Sequence, residues 1–210
     1  MALGLNLSNA SGNFLPICKF DCRAGRMFKS DKIDGEWNQT DITKNFKAVI
    51  DFENIEVGWI KFDGGAPDFV MVGHGEELPE KPSEHHRQGV RLVMKLNKSC
   101  GGDVREMASN AKAFLKGIDA LHDLYEAGAA KNKGKLPVVT LSDTVAETSG
   151  EGVKKSTNYR PVFEISGWVD RPEDLVASSR SSAPARATAP STGSTKVSAP
   201  KSVDDDEDFG

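Results

Sequence analysis

Residues 204–208 read DDDED and run straight into Phe209, five carboxylates and one aromatic ring at the end of a 210-residue chain. Carboxylates at that density imitate a short run of phosphates and are drawn to basic pockets over about one Debye length, roughly 8–10 Å at physiological salt. The phenyl ring adds an apolar anchor of about 1.5–3 kcal/mol when fully buried in a partner. A solubilising acidic tail is the plainer reading, but such a tail gains nothing by exposing a Phe. Asp204, Asp205, Asp206, Glu207, Asp208 and Phe209 therefore read as a partner-docking tip.

A second set of groups is cationic and aromatic. Holding single strands without reading bases requires phosphate-neutralising side chains interleaved with aromatic platforms. Lys19, Arg23, Lys29, Lys47, Lys61, Arg91 and Lys95 fall in the polar phase of strand-like stretches, and Lys154 and Lys155 sit in a Gly-containing loop. Trp59 shares a phase with Lys61, and Trp37 lies in the polar stretch GEWNQTD. These two are the candidate stacking platforms, each worth about 1–3 kcal/mol per stacked base. Alternating Lys and Arg is equally how any solvated sheet face reads. Trp59 would equally suit core packing, and Trp168 is expected to pack inside.

A third set has metal-ligating or catalytic chemistry. Cys18 and Cys22 form C-x3-C, and His74, His85, His86 and Cys100 are further ligand types, but no second compact pair completes a zinc pattern. Residues four apart on a strand share a face, so both thiols are expected in the core. Adjacent His85 and His86 in a polar loop read as solvated. Asp51, Glu53 and Asp63 could serve a metal-dependent nuclease, though nothing singles them out. There is no nucleophile elbow, phosphate-binding loop, paired-carboxylate arrangement or HExxH. The expectation is a non-enzyme with no metal and no cofactor.

The elements that must position these groups read mostly as strands. FLPICKFDCRAGRMFKSD (14–31) alternates, with Phe14, Cys18, Phe20, Cys22 and Phe28 in one phase and Lys19, Asp21, Arg23 and Lys29 in the other. FKAVIDFENIEVGWIKFD (46–63) reads as two strands or one bent one, with Phe46, Ala48, Ile50 and Phe52 inward. DFVMVG (68–73), GVRLVMKLN (89–97), LPVVTLS (136–142) and YRPVFEISGWV (159–169) complete the set. One helix is expected over 103–128, with Asp103 as N-cap, Glu106 closing a capping box, an apolar stripe from Met107 to Tyr125, and Gly128 as the stop. Segments 29–44, 73–89 and 143–158 read as loops able to line a site or simply to run over the surface. This order predicts a mainly β fold, a partly open five-stranded barrel of the oligonucleotide-binding type with the helix inserted between strands. A β-sandwich with an inserted helix competes.

Bulk properties frame that domain. Apolar residues make up 38% of the chain, and no stretch approaches the ~20 apolar residues of a membrane span. MALGLNLSNASGNF lacks the basic start and apolar run of a signal peptide, so the expected place is the cytoplasm, with cysteines as free thiols. The net charge of −4 conceals a division. Residues 178–203 carry Arg180, Arg186, Lys196 and Lys201 with no acid, while the tip is purely acidic. The 178–203 segment is nearly all Ser, Ala, Pro, Thr and Gly and cannot bury enough surface to order itself. The expected organisation is a domain over 1–177, a flexible linker over 178–203 and a tip over 204–210.

A barrel of this type, a Pro/Ser-rich tether and an acidic tip with a near-terminal Phe together resemble the single-stranded DNA-binding proteins of bacteria and bacteriophages. The resemblance is strongest over Asp204–Phe209 and looser elsewhere. It implies coating of single-stranded DNA in replication, recombination and repair, recruitment of polymerase, helicase or primase through the tip, and competition of the tip for the DNA groove. A homo-oligomer is compatible with it. Family tails usually finish on Phe, whereas Gly210 follows Phe209 here. The alternatives are a β-barrel adaptor that binds only protein, and a phage nuclease or nuclease inhibitor.

Overall fold

The computed structural model describes residues 15–62 and 67–175, without the Lys154 side chain. Phe14, Asp63, the 178–203 linker and the 204–210 tip lie outside the described residues. In chain order the elements are β1 (Ile17–Asp21), β2 (Arg26–Ile33), β3 (Glu36–Asp41), β4 (Lys47–Ile50), β5 (Glu56–Lys61), β6 (Asp68–Gly73), β7 (Arg87–Leu96), β8 (Val104–Ser109), α1 (Lys112–Ala129), β9 (Lys135–Ser149) and β10 (Ser156–Asp170). The fold is mainly β with one long helix. The expected five barrel strands are replaced by a ten-stranded sheet ordered β10-β9-β4-β7-β8-β1-β2-β3, with β5 and β6 branching from β7. This sheet is open, since β10 and β3 end the path. It nonetheless curls, because the Tyr159 N–H donates to the Cys22 carbonyl at 2.7 Å and brings β10 to the end of β1.

Alternation placed the core correctly. Cys18, Phe20, Cys22, Phe46, Ala48, Ile50, Phe52, Val90, Leu92, Met94 and Leu96 are all buried in one cluster. At about 1.5–3 kcal/mol per large apolar side chain removed from water, this cluster is the main source of stability. Phe28 departs from the expected phase, and Met27 takes the core position at 0% exposure. The cause is a turn. Asp21 accepts the Arg23 and Ala24 N–H groups through its Oδ1, and Gly25 adopts φ +67°. The chain reverses there, and β1 meets β2 with Ile17 opposite Ser30, so the two strands have opposite phases.

The helix is shorter than expected. Val104–Ser109 is a strand paired along β7, with Arg105 and Met107 turned to the core side. Asp103 engages Arg105 at 2.7 Å instead of capping a helix, and α1 begins at Lys112 with Ala111 at its N-cap and no side-chain cap. Ala113, Phe114, Gly117, Ile118 and Leu121 form its buried stripe. Gly117 allows β10 to approach closely, as a Cβ there would lie 2.6 Å from the Pro161 ring. Gly128 belongs to the last turn, pressed by Trp168.

Two expected loops are strands. Segment 29–44 contains β3, joined to β2 by Asp34 and Gly35 at φ +51° and +89°. Positive φ at both central residues is the tight hairpin turn that Asp-Gly favours. Segment 143–158 is the outer half of a β9–β10 hairpin whose strands are 15 residues each. Among the described residues no helix is long and apolar enough to cross a membrane.

Candidate nucleic-acid interface

Residues opposite one another in neighbouring strands share a face of the sheet. Applied strand by strand, this rule determines which candidate residues can act together. Lys19 lies opposite Phe28, Phe28 opposite Asp41, and Lys32 opposite Trp37. Ile17, on the Lys19 side of β1, lies beside Glu106, which lies opposite Val93. Val49 lies opposite Lys95, and Lys47 opposite Thr140. The outer face of the sheet therefore carries Trp37, Lys32, Phe28, Lys19, Arg91, Lys95 and Lys47, while Cys18, Phe20 and Leu92 point to the core. Trp37 is 61% exposed with Lys32 directly across from it.

At the β4 end of this face is a concavity of about 470 Å³, lined by Lys47, Lys95, Lys98, Asn97, Val49 and Trp168 among others. Three cations beside an indole edge suit phosphate and base together. One wall is the chain itself. Pro172 lines the concavity, the Leu175 N–H bonds the Pro172 carbonyl, and Asp174 forms an ion pair with Lys95. Trp168, expected to pack inside, is only half-buried: it lies against Tyr125 of α1 with ring centres 5.7 Å apart and also lines this hollow.

Other candidates are engaged or face elsewhere. Arg91 is bound by Glu106 at 2.7 Å and Glu56 at 3.2 Å and stands over the Phe69 ring. Burial opposes its charge, but the Glu106 and Glu56 carboxylates hold its pKa above the ordinary value. Burial raises the Glu56 carboxyl, against the pull of Arg91. Lys29 shares a face with Cys18, not with Lys19, and its ammonium lies by Gly101. Trp59 and Lys61 share a face with Val57 and Val90, opposite to Arg91 and Lys95. The Trp59 Nε1 donates to the Pro79 carbonyl at 2.8 Å, and Lys81 stands over its ring at 5.8 Å, so the β6–β7 loop covers it. Arg23 is exposed in the β1–β2 turn and Lys155 at the far end of the β9–β10 hairpin. The Lys154 side chain and the tip residues Asp204–Phe209 are outside the described residues.

Lys32 and Lys98 were not among the expected cations. The Asp-Gly turn at 34–35 was the signal for Lys32, because a two-residue hairpin fixes Lys32 opposite Trp37. Lys98 follows the end of β7 in a short turn with no periodicity to read.

All three cysteines are free and buried, and burial pushes the Cys18 thiol up to about 12. Asp51 and Glu53 are both held by Arg171. His86 is buried, not solvated, with Nδ1 2.8 Å from the Ser83 hydroxyl and Nε2 3.3 Å from the Asp68 carboxylate. Compared with protein-family models, curated proteins and solved structures, the chain matches none of them.

Proposed function

We propose that this chain binds single-stranded DNA without reading its sequence and recruits replication or repair partners through its acidic tip. The observation that carries the reading is the register-defined outer face, where Trp37, Lys32, Lys19 and Lys47 lie on one side of a curled sheet. Phosphates would meet the ammonium groups and bases would stack on Trp37 and Phe28, an arrangement that tolerates any sequence because every base has a π-face. The curl of the sheet and the helix between β8 and β9 support a distant variant of the oligonucleotide-binding barrel, extended by β3, β5, β6 and the long hairpin. The tip, as a phosphate mimic, would compete for the same face and be released to partners when DNA fills it.

The test is a titration of dye-labelled oligo-dT with the full-length protein at low and moderate salt. Expected is salt-sensitive binding, weakened roughly 5- to 100-fold by Trp37→Ala as one stacking platform is lost. Replacing Asp204, Asp205 and Asp206 by Asn should tighten it. Absence of binding in every form rejects the reading. A second reading, a protein-only adaptor, is favoured by the ion pairs that already occupy Arg91 and Lys95. The same titration separates the two.

A further inference from the structure

We propose that His74, His122 and Glu126 form a binding site for a divalent transition ion of the zinc class, which clips the β6–β7 loop to α1. The three residues come from two elements far apart in sequence. His122 and Glu126 are one helical turn apart on α1, a spacing that puts both on one face. His74 follows directly on β6, and its N–H donates to the Ile55 carbonyl at 3.1 Å, which fixes where its side chain starts. One ligand atom from each of the three lies within 4.8 Å of the others. Tetrahedral zinc with bonds of about 2.0–2.2 Å needs donor atoms roughly 3.3 Å apart. Side-chain rotation is the movement that would close the difference. His74 and Glu126 are exposed and free to turn, while His122 is half-buried and held by the edge contact with Phe52 at 5.7 Å between centres. The two imidazoles are already adjacent, with centres 4.6 Å apart and their planes tilted by 60°.

The donor set selects the ion. Two imidazoles and one carboxylate suit zinc, cobalt or nickel, whereas magnesium and calcium prefer all-oxygen sites. Three protein ligands leave a fourth position to water. The consequence of binding is mechanical. The loop that begins at His74 also carries Pro79 and Lys81, which cover Trp59, so fixing its first residue on α1 would hold that cover in place.

The experiment uses the full-length chain and cobalt(II), whose visible absorption reports tetrahedral coordination by nitrogen and oxygen, followed by displacement with zinc. Expected is one saturable equivalent, weakened at least roughly 10- to 100-fold by His74→Ala and by His122→Ala and unchanged by His85→Ala. Zinc should also slow proteolysis within residues 74–86 in the wild type and not in His74→Ala. His74 lies exposed on a loop, so its replacement tests the site without threatening the fold. Wild-type binding retained in His74→Ala would overturn the proposal, since the ion would then be held elsewhere. So would the absence of a saturable equivalent.

Discussion

Arg171 and Asp51 are separated by 120 residues, and the structure brings them together at the junction between β10 and the chain that follows it. Asp51 is 0% exposed and accepts from Arg171 and from the Asn54 amide at 2.8 Å. A carboxylate out of water without its cation is costly, so Arg171→Ala should lower unfolding free energy by about 3–5 kcal/mol. Asp51→Asn in the same chain should recover part of that loss by removing the stranded charge. Urea denaturation of the single and double variants measures both. Asp41 makes a second residue-scale case with a pH signature. The Thr43 hydroxyl and amide, with the Arg26 guanidinium, hold its carboxyl below the ordinary 3.8. A depressed acid stabilises the fold above its unfolded value and loses that contribution as pH falls through the folded one. Asp41→Asn should therefore lower the urea midpoint at neutral pH and flatten its fall between about pH 5 and pH 3, because the contribution that acid would remove is already absent.

At the scale of elements, α1 is set by what it packs on more than by its own propensity. An exposed Gly→Ala change within a helix gains about 1 kcal/mol. At Gly117 the sign should reverse, because the added methyl would meet the Pro161 ring and its carbonyl oxygen, 2.7 Å from the new Cβ. Gly117→Ala should cost about 1–3 kcal/mol, read as a lower thermal midpoint with unchanged far-ultraviolet circular dichroism. The same contrast between local and tertiary signals explains what was legible. β4 and β7 stood out because one of their faces is buried and period-2 alternation survives, whereas β6, with no fully buried residue, stood out through its apolar run Phe69–Val72. The helix start did not, because Asp103 and Glu106 imitate a capping box while Arg105 and Met107 belong to a strand that β7 pairs. β3 was hidden because all six of its residues are exposed, so no apolar period marks it. The site followed the same logic. Lys19, Lys47 and Lys95 could be read from alternation within a strand, but Lys29 could not, because the β1–β2 turn inverts the phase between the strands. His122 lies on α1 outside the apolar stripe, and only the tertiary fold sets it against His74.

Across the whole molecule, the chain leaves the sheet beside the basic concavity, so whatever follows residue 175 starts next to the proposed DNA face. Asp174 lies at that exit and pairs with Lys95, their side chains 49% and 29% exposed. A pair this accessible is worth at most about 1 kcal/mol, weak enough for a phosphate to displace and strong enough to tax binding. Asp174→Asn should then tighten oligo-dT binding by roughly two- to fivefold, the range that such a pair sets. Freeing Lys95 to meet a phosphate should also steepen the dependence of log affinity on log salt by about 0.7, the increment for one more neutralised phosphate on a single strand. Lys95→Met should weaken binding and remove the effect of Asp174→Asn. If the two substitutions instead acted independently, the Asp174–Lys95 pair would be a structural latch on the chain exit, and the DNA path would have to run over Trp37, Lys32 and Lys19 at the opposite end of the sheet.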